Sequence, residues 1–153
     1  TDANEGIEIA GPSGTNLSPY ALTLYNGNDN SALNTINLSG VIPNQSNGFG
    51  TLFFSIIPIQ NGAPDGVALD NNGTLIQFLS YEGTITATDG VAIGNTSADI
   101  GVSENGTTSV GHSLQLNGTG TLTKIFLGAL QPRVPIMHLI PIKLFLQQRL
   151  YMI

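Results

Sequence analysis

The 153-residue sequence contains no cysteine and no tryptophan, and only four of its residues are Lys or Arg. Without cysteine, the chain has neither a disulfide framework nor a thiolate metal site. The shortage of basic residues and the formal charge of −6 argue against binding to nucleic-acid phosphates or to anionic lipid headgroups. No apolar run approaches the roughly 18 residues of a membrane-spanning helix.

Glycine, asparagine and hydroxyl residues make up much of the chain instead. There are 19 Gly, and 41% of the residues are hydrophobic while only 9% are charged. Gly and Asn favour turns with positive φ and are poor helix formers, and the apolar fraction is large enough for a core. The composition therefore predicts an all-β domain. Its polar, lysine-poor surface resembles that of secreted bacterial proteins, so we expect a secreted or cell-surface location. Residues 1–4 lack the features of a signal peptide, and we expect the chain to begin after a cleavage site or to lack its true start.

Short β-type runs separated by turn residues recur through the first 120 residues. The runs are 6–10, 20–25, 33–38, 51–59, 66–70, 74–81, 99–102 and 113–116. Asn71-Asn72-Gly73 between two of them predicts a β-hairpin. The run 51–59 is almost continuously apolar, which predicts a central strand buried on both faces. Seven or eight short strands predict a two-sheet sandwich or a small barrel.

The composition changes abruptly near residue 121. All ten Asp and Glu lie in residues 1–104, whereas the basic residues are Lys124, Arg133, Lys143 and Arg149. Residues 124–153 contain no Ser, Thr, Asn, Asp or Glu. The segment 121–153 is a functional apolar peptide, the buried last element of the fold, or DNA translated in a wrong frame. We favour the third hypothesis and expect that the segment is not part of the native domain and does not extend the sandwich as a regular paired strand with a polar outer face.

Several spaced segments resemble bacterial lamin tail domains. They are Ile7–Pro12, Leu24–Gly27, Asn61–Leu69, Phe78–Gly83, Ala98–Val102 and Ser113–Leu116. The resemblance covers roughly residues 2–120 and implies that residues 1–120 form an immunoglobulin-like antiparallel β-sandwich without catalytic residues. Two features depart from the family: an opening strand before the acidic turn and a closing aromatic segment are both missing. Gly6 also stands where the family usually has an aromatic residue, which predicts the loss of a core anchor.

Candidate catalytic residues are few. Ser113, His112 and either Asp99 or Asp89 supply the residue types of a Ser-His-Asp triad, but no nucleophile elbow precedes any serine. The second histidine, His138, lies in the atypical tail. We therefore predict no catalytic residues and no enzymatic activity.

The acidic residues suggest two further kinds of site. Glu82 and Asp65 are the best pair for glycoside hydrolysis, although each stands beside a glycine at a hairpin end, where turn chemistry is the ordinary explanation. A calcium ion is a second hypothesis, because hard cations prefer oxygen ligands. Its candidate ligands are Asp65, Asp70, Asp89, Asp99, Glu104, Asn71 and Asn72. No spacing of an EF-hand is present, and we predict no cofactor, with calcium as the exception to be tested.

The sequence supports two principal functions. The first is a non-catalytic extracellular binding or adhesion module of lamin-tail type, whose partner is a protein or a polysaccharide. The alternative is an accessory domain of a secreted nuclease or phosphatase, in which another part of the polypeptide carries the catalysis. An independent enzyme is the third and least favoured hypothesis.

Overall fold

The computed structural model describes residues 5–56, 58–60, 64–103, 112–117, 127–132 and 144–147. Ten strands and no helix form the regular structure of these residues. The strands are β1 (Gly6–Pro12), β2 (Tyr20–Asn26), β3 (Ser31–Asn37), β4 (Phe49–Ser55), β5 (Asp65–Asn71), β6 (Thr74–Tyr81), β7 (Ala98–Asp99), β8 (His112–Asn117), β9 (Leu127–Pro132) and β10 (Leu144–Gln147). The all-β class predicted from the composition is confirmed. In this part of the chain no helix is long and apolar enough to cross a membrane.

The chain divides into two compact units, each with one five-stranded sheet. The first unit comprises Thr1–Asn16, Gly40–Ile59 and Glu104–Ile153, and its strand order is β4-β1-β10-β8-β9. The second comprises Leu17–Ser39 and Gln60–Ser103, and its strand order is β3-β2-β5-β6-β7. All neighbouring strands are antiparallel except β6 and β7, which pair in parallel.

The predicted hairpin lies in the second unit. Strands β5 and β6 pair antiparallel, with Asn71 opposite Thr74. Asn72 and Gly73 connect them with φ angles of 48° and 77°, the left-handed conformation that a type I′ turn requires at both central positions. The Asn-Gly sequence is therefore the local cause of this hairpin, as predicted.

The sheet of the second unit is buried on both faces at its centre. Leu22 and Leu69, which pair across β2 and β5, are buried on one face. The opposite face is covered by the connection between β6 and β7. The buried members of the hydrophobic cluster formed there are Tyr25, Ala68, Phe78, Ile85, Ala87 and Ala92. A non-strand segment thus supplies half of this core.

In the first unit, β1 carries its core side chains on one face. Ile7 and Ile9 are fully buried. On the other face, a Cβ at Gly6 would collide with the ring of Phe53 and with the Phe54 carbonyl oxygen. The ring of Phe53 on the neighbouring strand thus lies against Gly6, and the expected loss of a core anchor at this position stays a prediction.

Strand β4 corrects one prediction. The run 51–59 was expected to form a central strand buried on both faces, but the strand ends at Ser55 and lies at the edge of its sheet. Phe53 is 43% exposed, whereas Ile56 and Ile59 are buried after the strand has ended. A continuous apolar run does not distinguish a central strand from an edge strand followed by a buried loop.

Two strands fall within residues 121–153. β9 pairs with β8, and β10 lies between β1 and β8. Residues 127–132 and 144–147 therefore pair as strands, whereas the expectation that the segment adds no paired strand with a polar outer face stays a prediction. The proposed domain boundary at residue 120 stays a prediction.

Candidate functional site

Two connections of the second unit are joined by hydrogen bonds and form the candidate site. They are the β2–β3 turn with its flanking strand residues, 26–31, and residues 84–97 of the β6–β7 connection. We call them together the loop platform. Loops held by a rigid sheet are the usual place for binding residues, because the scaffold fixes them while their side chains remain accessible.

Tyr25 at the end of β2 anchors the longer loop. Its hydroxyl donates a hydrogen bond to the Asp89 carbonyl oxygen at 3.1 Å and accepts one from the Ala92 N–H at 3.0 Å. Its ring lies 4.9 Å from that of Phe78, at an interplanar angle of 55°. Such tilted aromatic pairs add attraction beyond the area they bury. One side chain thus connects the sheet to both sides of the Asp89–Ala92 turn.

The surroundings of Tyr25 also affect its ionisation. Burial raises the pKa of its hydroxyl above the ordinary value, and the nearby charges of Asp89 and Asp70 act in the same direction. The hydrogen bond from Ala92 opposes this shift and is outweighed. Tyr25 is consequently neutral at neutral pH and retains the proton that it donates to Asp89.

The two loops are connected to each other through Thr88 and Asp89. The Thr88 N–H donates to the Asn30 carbonyl oxygen at 3.0 Å, and its hydroxyl donates to the same oxygen at 3.1 Å. Asp89 Oδ1 accepts the Ala32 N–H at 2.6 Å. These bonds fix the position of the β2–β3 turn relative to the longer loop.

Asp29 lies exposed in the shorter loop and stabilises its turn. Its Oδ1 accepts the hydroxyl of Ser31 at 2.7 Å and the N–H of Ser31 at 3.0 Å. These two hydrogen bonds lower the pKa of Asp29, because they favour the charged carboxylate. The platform therefore presents an ionised carboxylate at neutral pH.

Further hydrogen bonds hold the longer loop together and join it to β6. Ser97 Oγ accepts the Ile85 N–H at 2.8 Å and donates to Ser80 Oγ at 2.7 Å. The hydroxyls of Thr86 and Thr96 are hydrogen-bonded at 2.8 Å. Ile93 is the most prominent apolar side chain of the loop, with 62% of its surface exposed. A large apolar side chain displayed by a well-bonded loop is a candidate contact residue.

The acids predicted as site residues accept backbone hydrogen bonds in turns. Asp65 and Asp70 are buried and accept the N–H groups of Gly27 at 3.1 Å and Gly73 at 2.8 Å. Asp99 accepts the N–H of Gly101 at 2.9 Å. Glu82, the proposed partner of Asp65, follows β6 with a φ of 61°. Asp65 thus bonds a turn residue that is distant in sequence, and the local turn chemistry expected at Asp65-Gly66 stays a prediction.

The metal hypothesis finds no cluster in the part of the chain that the structure describes. There, no three His, Cys, Asp or Glu side chains come together as a possible metal site. Asn71 and Asn72 belong to the β5–β6 hairpin, and Glu104 lies outside the described residues. The absence of a cofactor stays a prediction, and calcium binding stays the hypothesis to be tested.

The candidate triad is divided between the two units. His112 and Ser113 belong to β8 in the first unit, whereas Asp89 and Asp99 belong to the second. His138 lies outside the described residues. The absence of enzymatic activity stays a prediction.

Sequence reasoning missed the residues that build the platform. No hypothesis assigned a role to Tyr25, Thr88 or Ile93. The alternation of Thr with Ile and Ala in residues 84–88 is a usable signal, since Ile85 and Ala87 are buried while Thr84, Thr86 and Thr88 are exposed. The hydrogen-bond partners of Tyr25 have no sequence signal, because they are backbone groups more than 60 residues away.

A buried carboxyl group in the first unit was also missed. Glu5 is fully buried, its Oε2 accepts the Ile59 N–H at 2.9 Å, and its backbone carbonyl accepts the Ile56 N–H at 3.1 Å. It ties the start of β1 to the segment that follows β4, which is a structural role.

Comparison with known proteins does not assign the chain to a family: no protein-family model, no curated protein and no solved structure matches it.

Proposed function

We propose that the protein is a non-catalytic extracellular binding module of lamin-tail type, which contacts a protein partner through the loop platform. The immunoglobulin-like β-sandwich expected from the lamin-tail resemblance is part of this proposal. The observation that carries it is the network by which Tyr25, Thr88 and Asp89 hold two exposed loops in one arrangement.

A loop whose backbone is ordered by hydrogen bonds before binding is suited to recognition of a partner. Loops that are mobile before binding lose conformational entropy when they bind, and this loss weakens the complex. The Tyr25 and Asp89 bonds have already ordered the backbone around Ile93, so its side chain is presented without that cost. An apolar side chain at the centre of an interface, surrounded by polar groups, is the usual composition of a binding hot spot.

The charge of the second unit favours a basic protein surface. Residues 17–103 contain six Asp or Glu and no Lys, Arg or His. Asp29 on the platform is exposed, and its pKa is lowered, so that it remains ionised. A complementary partner presents Lys or Arg near an apolar pocket, which increases the association rate and the specificity.

A protein partner is favoured over a polysaccharide. Aromatic faces commonly pack against the C–H groups of sugar rings, and residues 26–31 and 84–97 contain no Phe, Tyr or Trp. The exposed groups of the platform are hydroxyls, amides, carboxylates and Ile93. Polysaccharide binding is the competing outcome in the test.

The test compares two exposed aliphatic residues. The chain and the variants Ile93→Ser and Val41→Ser are measured by surface plasmon resonance against a panel of basic secreted proteins and a panel of neutral soluble polysaccharides. Val41 is the matched control, since it is 56% exposed but lies outside the platform. We expect at least one basic protein to bind. Ile93→Ser should weaken its binding about tenfold, the effect of removing a moderate hot spot, and Val41→Ser should leave it unchanged.

Three results contradict the proposal. They are binding to polysaccharides alone, equal effects of the two substitutions, and failure of every panel protein to bind. Turnover of nuclease or phosphatase substrates by the purified chain would contradict its non-catalytic part.

A further inference from the structure

Two Asn-Gly pairs occupy the same kind of turn in different chemical surroundings. Asn47-Gly48 connects the bridged residues Ser46 and Phe49, with φ angles of 48° and 83°. Asn72-Gly73 connects the ends of β5 and β6, with φ angles of 48° and 77°. Both Asn side chains are exposed. The two turns therefore match in sequence, backbone φ and accessibility.

They differ in what accepts the hydrogen bond of the glycine N–H. Gly73 donates to Asp70 Oδ1 at 2.8 Å, and Asp70 is buried. Gly48 donates to Asn44 Oδ1 at 3.1 Å, and Asn44 is exposed. One acceptor is a buried carboxylate and the other is a neutral amide that is open to water.

This difference affects the one reaction to which Asn-Gly pairs are prone. The glycine nitrogen loses its proton and attacks the Asn Cγ, so that an N–Cγ bond forms, the Cγ–Nδ2 bond breaks, and ammonia leaves. Water then opens the resulting succinimide to aspartate or isoaspartate. A carboxylate that accepts the hydrogen bond of the glycine N–H opposes loss of the N–H proton. Deprotonation would place the negatively charged nitrogen against the negatively charged carboxylate. The carboxylate also stabilises the N–H more strongly than a neutral acceptor does.

We propose that Asn47 is a site of spontaneous deamidation in the folded protein and that Asp70 protects Asn72 from the same reaction. A third Asn-Gly pair, Asn26-Gly27, should be protected in the same way as Asn72-Gly73. The N–H of Gly27, which follows Asn26, donates to the buried carboxyl of Asp65 at 3.1 Å. Two buried carboxylates thus hold the glycine nitrogens of two Asn-Gly pairs, and the pair at residue 47 lacks such an acceptor.

Deamidation at Asn47 would alter the edge of the first sheet. Isoaspartate inserts an extra carbon into the backbone, which is incompatible with the two hydrogen bonds between Ser46 and Phe49. The same short segment includes Gln45, whose Oε1 accepts the Thr51 N–H at 2.7 Å on edge strand β4. Loss of this turn would leave the N–H of an edge strand available for pairing with another chain.

The experiment follows deamidation at each residue in the intact folded chain. The protein is incubated at neutral pH, samples are digested with chymotrypsin, and deamidation is assigned by fragment-ion mass spectrometry. This assignment separates Asn72 from Asn61, which lies between the same two Phe residues. We expect Asn47 to react at least about fivefold faster than Asn72, the factor that separates hydrogen bonds to charged and neutral acceptors.

Two reciprocal substitutions test the cause. Asn44→Asp places a carboxylate beside Gly48 and should slow the reaction of Asn47. Asp70→Asn removes one beside Gly73 and should accelerate the reaction of Asn72. Because Asp70 is buried, its variant risks unfolding, whereas the exposed Asn44→Asp variant carries the test independently. In concentrated urea the rates of Asn47 and Asn72 should become equal.

Equal rates at Asn47 and Asn72 in the folded protein would overturn the proposal. So would an unchanged rate at Asn47 in the Asn44→Asp variant, or a rate difference that persists in urea.

Discussion

Among single residues, Tyr25 contributes most to the arrangement of the platform. Its side chain is 1% exposed, and its hydroxyl makes two hydrogen bonds to the backbone of the longer loop. Its ring belongs to the cluster that also contains Ile85, Ala87 and Ala92 of that loop. Tyr25 therefore contributes to the core and to the geometry of the platform at once.

Substituting Tyr25 by Phe should destabilise the protein and loosen the loop. The Ala92 N–H would lose its acceptor in a buried position, which costs about 1–3 kcal/mol. Urea denaturation measures the loss, with Tyr20→Phe on the same strand as the control. A Tyr25→Phe variant as stable as Tyr20→Phe would contradict the role given to the hydroxyl.

The raised pKa of Tyr25 also predicts how stability depends on pH. The unfolded chain releases the tyrosine proton near pH 10.0, whereas the folded chain holds it to a higher pH. The contribution of Tyr25 is thus complete below pH 10.0 and is lost as the pH rises from there through the folded-state pKa. Denaturation between neutral and alkaline pH should show a steeper loss for the native chain than for Tyr25→Phe, and parallel losses would contradict this prediction.

At the scale of secondary-structure elements, local signals predicted most of the strands. The predicted runs 6–10, 20–25 and 74–81 lie within β1, β2 and β6, and Asn72-Gly73 forms the expected turn. Such features depend on alternation and turn chemistry, which the sequence carries locally. Strand β4 was placed wrongly because the number of neighbours of a strand is a property of the whole sheet.

The candidate site was less predictable than the strands. Asp65, Asp70 and Asp89 were identified as polar loop residues, but their hydrogen-bond partners are backbone N–H groups, of turn residues for Asp65 and Asp70 and of strand β3 for Asp89. The partner of Asp89 is 57 residues distant in sequence. Pairing at that range follows from tertiary structure and has no counterpart in residue spacing.

The close contact of β1 and β4 at Gly6 gives a prediction for this pair of strands. Gly6→Ala should destabilise the protein by about 1–3 kcal/mol, since the new methyl group would overlap the Phe54 carbonyl oxygen and the Phe53 ring. Gly11→Ala on the same strand is the control. Its Cβ would have one neighbouring atom within 4 Å, the Cδ1 at the flexible end of Ile42, at a distance of 3.0 Å. Urea denaturation measures the free energy of unfolding of the two variants. A larger loss of this free energy in Gly11→Ala than in Gly6→Ala would contradict the packing described for Gly6.

At the scale of the whole molecule, the distribution of charge matches the division of the structure. The second unit has six acidic residues and no basic ones, and it carries the loop platform. The four basic residues all belong to the first unit. The sequence showed that the basic residues follow the acidic ones along the chain, but it did not locate the platform, which requires the pairing of two loops that are distant in the chain.

If hydrogen bonds hold the longer loop on its sheet as firmly as a strand, native-state hydrogen exchange resolved by residue will show it. The N–H groups of Ala32, Thr88 and Ala92 donate the bonds that hold the platform. We predict that they exchange as slowly as the amides of β2 and β5. Exchange at the rate of an unfolded chain, while β2 and β5 stay protected, would contradict the account.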